Sequence, residues 1–436
     1  MIGGIQNIGR ITELRDRILF TFMMLAVYRV GAVIVTPGIN PEVVRNFFQQ
    51  MQGTVFGLFT LFSGGALEQL SIFSLGIMPY ISASIILQLL TVVIPQLDEL
   101  KKEGEQGQRK INQFTRYATI GLSLFQSGLI ALALERGQFG AGAVIEAGWS
   151  FRLMCMITLT SGTAFIMWLG EQITERGIGN GISMVIFASI IIRIPSALVN
   201  LFQLIRTDQF TLLGTVIFAA VAIGVIFFVV LVERGQRRIP IQHARRVVGK
   251  RIQQGGMSYF PLRVNTAGVI PAIFASSLLM FPLTIGQFSE APTIQSFIDT
   301  YMNPASPLYQ VVYIGLIIFF CYFYTAIMIN PVDVADNIKK SGAYIPGIRP
   351  GKKTAEYIDH ILSRVTLIGA LYMSAVCVLP TLLAARAGIP FYFGGTALLI
   401  VVGVGLDTIA QIEAHLVSRQ YEGFVQGTRI RGRLGR

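Results

Sequence analysis

Two nine-residue stretches of this chain align without a gap: Gly76-Ile77-Met78-Pro79-Tyr80-Ile81-Ser82-Ala83-Ser84 and Gly268-Val269-Ile270-Pro271-Ala272-Ile273-Phe274-Ala275-Ser276. They share the frame G-x-x-P-x-I-x-A-S, and each opens the second of five apolar runs in its half of the chain. Because five is odd, the two halves would enter a membrane from opposite sides, as in an inverted repeat with the functional pathway between its halves. Chance is the alternative, since Gly and Pro are common in membrane helices. Both residues are expected to weaken backbone hydrogen bonding near each helix start and to suit helices that tilt or move.

The composition places the apolar runs in a bilayer. Of the 436 residues, 53% are hydrophobic and 13% are charged, and the mean hydropathy is +0.62, whereas a soluble domain carries about a quarter charged residues. An ordinary soluble enzyme, a disordered chain and a secreted disulfide scaffold are therefore excluded. A helix of roughly 20 apolar residues crosses a bilayer, and the sequence predicts ten such spans near 18–36, 72–94, 114–135, 151–170, 181–199, 211–232, 265–286, 308–329, 365–385 and 394–413.

Basic residues are distributed unevenly between the predicted loops. Lys and Arg number 35 against 23 Asp and Glu, a net charge of +12. The loops on one side carry 28 basic residues and those on the other side carry six, while Arg29 lies inside the first span. By the positive-inside rule both termini are cytoplasmic. The most basic loops, 233–263 and 330–364, either set the topology and attract anionic lipid, or dock a phosphate-rich or acidic partner.

The segment 37–71 fits neither a loop nor a span. Its apolar stretch Phe56–Phe62 is too short to cross a bilayer, and Gly64-Gly65 makes a flexible break after it. Two interpretations stand: a helix on the outer membrane surface, or a short re-entrant helix. Non-helical backbone at membrane depth is allowed only where protein or a water-filled cavity surrounds it.

Motifs for nucleotide, metal or disulfide chemistry are missing. The stretch Gly347–Thr354 resembles a phosphate-binding loop only superficially, because its glycines are wrongly spaced and Lys353 replaces the required Ser or Thr. The three cysteines lie singly in apolar runs, so no disulfide, metal or cofactor is expected. The ionisable residues that interrupt apolar runs are functional candidates, although pairing with polar neighbours is the alternative; they are Arg29, Arg193 and Asp407.

Seven longer stretches match one family of membrane proteins in order along the chain: Phe62–Leu67, Leu75–Ile86, Trp168–Ser183, Val232–Arg238, Gly268–Ser277, Ser341–Gly351 and Pro390–Thr396. Through them the chain resembles the SecY family, the channel-forming subunits of the bacterial Sec protein translocon, over essentially its whole length. The resemblance implies an all-α polytopic membrane protein whose ten transmembrane helices form two five-helix halves. The N-terminal half would be 1–200, and the C-terminal half, with the two basic loops and a cytoplasmic tail at 414–436, would be 201–436.

The resemblance also implies an hourglass pore with named parts. An aliphatic ring at mid-membrane matches Ile77, Ile81, Ile186, Ile273 and Ile400. A short plug helix near 56–67 would close the pore from outside, with the plug positions Phe56, Leu58, Phe59, Leu61, Phe62, Gly64 and Gly65. A lateral gate between the second and seventh spans would contain Ser82, Ala83, Ser276 and Phe281. Docking of the ribosome or of the motor ATPase SecA is expected at Arg237, Arg238, Arg245, Arg246, Lys250, Arg251, Arg349, Lys352 and Lys353, of which Arg349 matches a functionally critical arginine of the family.

The function implied by the resemblance is that of the central protein-conducting channel in the bacterial plasma membrane. It would pass unfolded precursor proteins with their signal sequences across the membrane and release membrane helices sideways into lipid. The chain would not be an enzyme, since the energy would come from SecA or from the ribosome, and SecE and SecG would be its small partner subunits. An inverted-repeat secondary transporter is the alternative, which a midplane carboxylate pair would favour. A membrane scaffold that only recruits the ribosome is a third interpretation.

Overall fold

A computed structural model describes residues 12–50, 63–140, 142–206, 212–243, 246–248, 251–253, 256–287, 300–301, 306–387 and 394–427. The earlier part forms helices α1 (Thr12–Val33), α2 (Pro41–Gln50), α3 (Met78–Val93), α4 (Pro95–Lys102), α5 (Glu105–Glu135), α6 (Trp149–Arg176), α7 (Gly181–Ile191) and α8 (Ile194–Arg206). The later part forms α9 (Leu212–Glu233), α10 (Ile270–Gln287), α11 (Pro307–Met328), α12 (Pro331–Lys340), α13 (Lys352–Ala387) and α14 (Gly395–Gly427). Short strands follow α9 and α12: β1 (Gln236–His243), β2 (Arg246–Val248), β3 (Arg251–Gln253), β4 (Met257–Arg263) and β5 (Ala343–Tyr344).

Each of the predicted spans coincides with helical structure, so the predicted all-α membrane architecture is confirmed. Within the described residues, segments in α5, α6, α11 with α12, α13 and α14 are long and apolar enough to cross a membrane. Helices α3 and α4 meet at an angle of 99° and together make a sixth candidate. Three shorter apolar segments are Gly181–Ser196, which covers α7 and the start of α8, Ala219–Glu233 in α9 and Ile270–Leu279 in α10.

The described residues fall into two compact units. One contains the residues up to Leu198 together with those from Val404 onward, and the other is Val199–Gly403. In the first unit α5 packs against α3 and α6, and α6 also packs against α1 and α7. In the second unit α11 packs against α10 and α13, and α12 packs against α13. Helix α14 contributes its first turns to the second unit and its later turns to the first, and the division at residue 200 stays a prediction.

The fifth predicted span, 181–199, is broken into two helices. Helix α7 is capped by Asn180, whose side chain accepts hydrogen bonds from two backbone N–H groups of the first turn, as N-cap residues do. The N–H of Arg193 bonds to the carbonyl of Ile190, which closes α7 with a tight turn. Pro195 explains the break, because its ring clashes with the preceding turn and it lacks an N–H.

The basic loop 233–263 contains a small antiparallel sheet. Strand β1 lies between β4 and β5, and its register with β4 runs from Gln236 opposite Arg263 to Gln242 opposite Met257. Ile239 and Ile241 alternate with more exposed neighbours and are buried, as in a strand with one covered face. This alternation in the sequence predicts a strand, although the many charged residues of the loop mask the pattern.

Helix α13 begins at Lys352, well before the predicted start of its span at residue 365. Its first turns are polar overall, so hydropathy does not reveal them. They nevertheless bury Ile358, Ile361 and Leu362 against the sheet. The shared core also contains Ile239, Ile241, Leu262, Ile338, Ala343, Ile345 and Val365. The sheet and the start of α13 therefore form one packed body.

Helix α6 approaches the chain that precedes α3 closely enough to require a glycine. A Cβ added at Gly162 would overlap the backbone carbonyl of Ile72. We expect Gly162→Ala to lower the free energy of unfolding by about 1–3 kcal/mol, because overpacking forces the backbone to shift. The matched control is Gly121→Ala in α5, where an added Cβ meets nothing within 4 Å. Thermal unfolding of both purified variants checks this, and equal melting temperatures would contradict the close approach.

Candidate functional site

The two repeated stretches have the same backbone conformation. Gly76 has a φ of +57° and Gly268 a φ of +64°, and α3 and α10 each begin two residues later. The second helical residue is a proline in both, which suits a position whose N–H has no helical partner. The first i to i−4 bonds also correspond: Ile81 N–H to the carbonyl of residue 77 at 3.1 Å, and Ile273 N–H to that of residue 269 at 3.3 Å.

These starts correct one expectation. Gly and Pro were expected to weaken backbone hydrogen bonding near the start of the second and seventh helices. Instead they precede or open α3 and α10, at positions 76–79 and 268–271, where no helical bond is lost. The spans predicted from residues 72 and 265 therefore start later as helices, and their first residues are turns.

The five predicted ring residues all lie in or next to helices and are buried. Ile77 caps α3 and Ile81 follows one turn later, while Ile186 lies in α7. Ile273 lies in α10 and Ile400 in α14, and α14 passes close to the turn that leads into α10. A Cβ added at Gly403, one turn after Ile400, would lie 2.9 Å from Val269, one turn before Ile273. Closure of the five positions into one ring stays a prediction.

Most of the predicted plug lies outside the described residues, namely Phe56, Leu58, Phe59, Leu61 and Phe62. Its last two positions are described, and both are in the left-handed conformation: Gly64 has a φ of +63° and Gly65 a φ of +87°. Side chains rarely tolerate such angles. A Cβ at Gly64 would also come within 3.0 Å of the backbone of Ser189 in α7. The plug segment thus joins the described chain through two glycines.

The chain from Ser63 to Gly76, which we call the seat, is held against residues 34–36, directly after α1. The N–H of Thr36 bonds to the carbonyl of Leu70, and the N–H of Ile72 bonds to that of Ile34, both at 2.9 Å. Between these bonds, Val35 and Ser71 form an antiparallel bridge. Backbone bonds on both sides of one bridge fix the register of the seat.

Stacked aromatic rings also anchor the seat to α1 and α6. The ring of Phe73 stacks on Tyr28 of α1, with centroids 5.8 Å apart, and on Phe165 of α6, with centroids 5.9 Å apart. Stacked pairs at this spacing stabilise beyond the area they bury. Gly31 makes room for the Phe73 ring, since an added Cβ would overlap it.

Charged and polar side chains from α1, from α7 and from the break after α7 converge on the start of the seat. Arg29 of α1 donates to the carbonyl of Gly64 at 3.3 Å. Tyr28 contacts the hydroxyl of Ser189 at 2.7 Å and donates to the carbonyl of Ser63 at 3.4 Å. Arg193, in the break between α7 and α8, pairs with Glu68 at 2.5 Å. The sequence singled out both arginines because they interrupt apolar runs, but it gave them no partner and missed Glu68.

The predicted gate residues lie on the helices expected from the repeat. Ser82 and Ala83 are in α3, and Ala83 is fully buried; Ser276 is buried in α10, where its hydroxyl donates to the carbonyl of Ile273. Phe281 is also in α10, directly before Pro282, a proline inside the helix. The assignment of these residues to a lateral gate stays a prediction.

The predicted docking residues lie on the sheet and on the turn before α13. Arg237 and Arg238 are exposed on β1, and Arg349 is exposed in a turn that contains the left-handed glycines 347 and 351. Arg246 lies in β2, Arg251 in β3 and Lys352 at the start of α13, while Arg245 and Lys250 lie outside the described residues. Among described residues, Arg237, Arg238 and Arg349 have no carboxylate at ion-pair distance, whereas Lys353 pairs with Glu356 at 2.9 Å.

The basic residues of the 95–116 loop are arranged differently. Lys102 pairs with Asp98 at 2.7 Å, Arg109 with Glu105 at 2.8 Å, Lys110 with Glu103 at 3.7 Å and Arg116 with Glu171 at 2.7 Å. Most of the positive charge of this loop is therefore neutralised locally, in contrast to that of β1 and the 346–351 turn.

Comparison with known proteins gives a consistent result. A family model for SecY matches residues 71–409. The protein translocase subunit SecY of Pseudomonas aeruginosa is 49% identical over 427 residues, which cover 97% of this chain and 96% of that protein. The SecY of Aquifex aeolicus is 44% identical over 418 residues, covering 95% of this chain and 97% of that protein.

Solved structures share the fold at lower identity. A structure of a protein conducting channel has a TM-score of 0.62 at 18% identity, with 93% of both chains covered. Sec61 in a canine ribosome–channel complex has a TM-score of 0.59 at 17% identity, again with 93% of both chains covered. These similarities confirm the expected resemblance: the chain belongs to the SecY family.

Proposed function

We propose that this chain, which as a SecY-family member is the channel subunit of a protein translocon, works in a bacterial plasma membrane with both termini in the cytoplasm. It passes unfolded precursor proteins across the membrane and releases membrane helices sideways into lipid. The observation that carries the proposal is the pair of matching helix starts at Gly76 and Gly268. Matching starts are expected of helices that hold equivalent places in two inverted repeats, and the pathway of such proteins lies between the repeats.

The pore itself is sealed by aliphatic side chains. Ile77, Ile81, Ile186, Ile273 and Ile400 offer no hydrogen-bonding groups, so a narrow gap between them excludes water and ions. The same side chains make no directional bonds with a passing polypeptide, which lets any sequence slide through. The plug, which joins the seat through Gly64 and Gly65, closes the pore from the outer side.

The gate opens between α3 and α10. Small residues along both helices allow the backbones to approach closely without bulky interlocking side chains. They include Ala83, which is fully buried, and Ser276 and Ser277. Helices that meet through such faces can separate without losing a large packing energy, so an apolar signal sequence can take their place.

The energy for transport comes from outside the chain. Arg237, Arg238 and Arg349 are exposed and have no carboxylate partner in the described part of the chain, and they form a positive surface that suits ribosomal RNA or an acidic face of SecA. SecE and SecG complete the channel as small partner subunits. The chain is not itself an enzyme. It forms the channel, and its partners supply the energy for transport.

The seal predicts the effect of a polar residue in the ring. Ile186→Asn introduces an amide that lets water wet the constriction. We expect a several-fold rise in ion leak and export of precursors with weak signal sequences, with the protein still inserted. Conductance in planar bilayers and export assays measure both effects.

The matched control is Ile166→Asn in α6, a buried isoleucine outside the ring. Here the expected result is a loss of stability of about 2–5 kcal/mol, because a packed apolar site receives a polar side chain, without selective leak. A leak-tight Ile186→Asn channel with unchanged signal selectivity would show that this position is not part of a seal.

The docking surface predicts a local effect of charge reversal. Arg349→Glu is expected to slow SecA-driven export roughly tenfold, equivalent to about 1.4 kcal/mol, since it reverses an exposed charge and buries nothing. Arg109→Glu is the control, because it makes the same change on the locally neutralised loop. Export rates into inverted membrane vesicles give the comparison. Equal rates for the two variants would remove Arg349 from the docking surface.

A further inference from the structure

A partly buried ion pair lies beside Gly64 and Gly65, the two glycines by which the plug segment continues into the rest of the seat; we call these glycines the hinge. The Nη2 atom of Arg193 lies 2.5 Å from the Oε1 atom of Glu68, and their side chains are only 16% and 29% exposed. Arg193 also passes over the hinge itself, since a Cβ added at Gly65 would lie 3.5 Å from Nη2. The pair therefore ties the residues just after the two glycines to the break between α7 and α8.

Polar side chains of α1 hold Ser63 and Gly64, at the start of the seat. Arg29 donates to the carbonyl of Gly64, and Tyr28 donates to that of Ser63. Tyr28 also contacts Ser189 on α7. The hinge is thus fixed from α1 on one side and from α7 and its following break on the other.

Separating Glu68 from Arg193 costs free energy because both side chains are largely removed from water. A charge that is mostly removed from water loses much of its hydration, and the partner's charge compensates only while the two remain in contact. The Nε atom of Arg193 is buried and has no hydrogen-bond partner among the described residues. Arg193 therefore depends on Glu68 for compensation of its charge within the described chain.

We propose that Glu68 and Arg193 are positioning residues that hold the Gly64-Gly65 hinge in the arrangement described above and so set how strong a signal sequence must be to open the channel. This inference rests on the proposed function of the plug. Opening the channel moves the hinge, which strains the ion pair, and a signal sequence must supply the free energy for this. Weakening the pair lowers the required signal strength without changing the pore.

The experiment uses three variants of the full chain: Glu68→Gln, Arg193→Gln and the double variant. Each single change is expected to raise ion leak, and export of a precursor with a defective signal sequence, by about threefold to tenfold, between the effects of exposed and buried pairs. The double variant should exceed neither single variant, because both remove the same interaction. Additive effects, or singles with wild-type leak and export, would overturn the proposal.

A second ion pair in the same unit separates positioning from plain stability. Arg152 pairs with Glu135 at 2.5 Å, with side chains 32% and 8% exposed, and joins α6 to α5 away from the seat. Glu135→Gln is expected to lower the melting temperature without relaxing signal selectivity. If it relaxes selectivity as much as Glu68→Gln does, destabilisation in general explains the effect and the proposal fails.

A variant lacking residues 54–61 tests the underlying function of the plug separately. It should leak and accept weak signals by itself, and Glu68→Gln should add nothing in that background. If this deletion leaks while Glu68→Gln in the full chain does not, the plug function stands and the role of the ion pair is wrong. If the deletion is silent while Glu68→Gln leaks, the plug function fails, and the pair does not act through the plug.

Discussion

The architecture depends on how a helix can begin in apolar surroundings. The first N–H groups of a helix have no partner within it, and hydrocarbon offers none. Helices α3 and α10 meet this constraint in the same way. A left-handed glycine, Gly76 or Gly268, turns the chain, and the proline at the second helical position has no N–H that needs a partner. Because both starts are fixed, so are the positions of the isoleucines and small residues that follow on α3 and α10.

The seat connects the proposed parts of the channel mechanically. Within Ser63–Gly76 the chain contains the glycine hinge, the carboxylate that pairs with Arg193, the ring of Phe73 and the turn that starts α3. Backbone hydrogen bonds to residues 34 and 36, directly after α1, and ring stacking on α6 hold this segment in place. In the proposed mechanism, a signal sequence that displaces α3 also strains the hinge, so the proposed gate and the proposed plug respond together.

The membrane class, the approximate spans and the repeat follow from composition and periodicity, because long apolar runs report burial in lipid directly. Pro195 also marks the break after α7, although hydropathy averages across it. The early start of α13 is hidden because an amphipathic turn such as that of Ile358 has low mean hydropathy. The pairing of Glu68 with Arg193 could not be predicted, since residues 125 positions apart meet only through the tertiary fold.

The central claim, that α3 and α10 separate during transport, is tested by tying them together. In a chain whose buried cysteines Cys155, Cys321 and Cys377 are replaced, Ser82→Cys and Phe281→Cys would be oxidised to a disulfide, which requires Cα atoms within roughly 7 Å. The control bridge joins Ser127→Cys to Thr160→Cys on α5 and α6, where the native hydroxyl oxygens are 3.3 Å apart. We predict that the first bridge blocks both export and helix insertion until it is reduced, while the control leaves both unchanged. Full-rate export through a channel bridged between residues 82 and 281 would contradict the account.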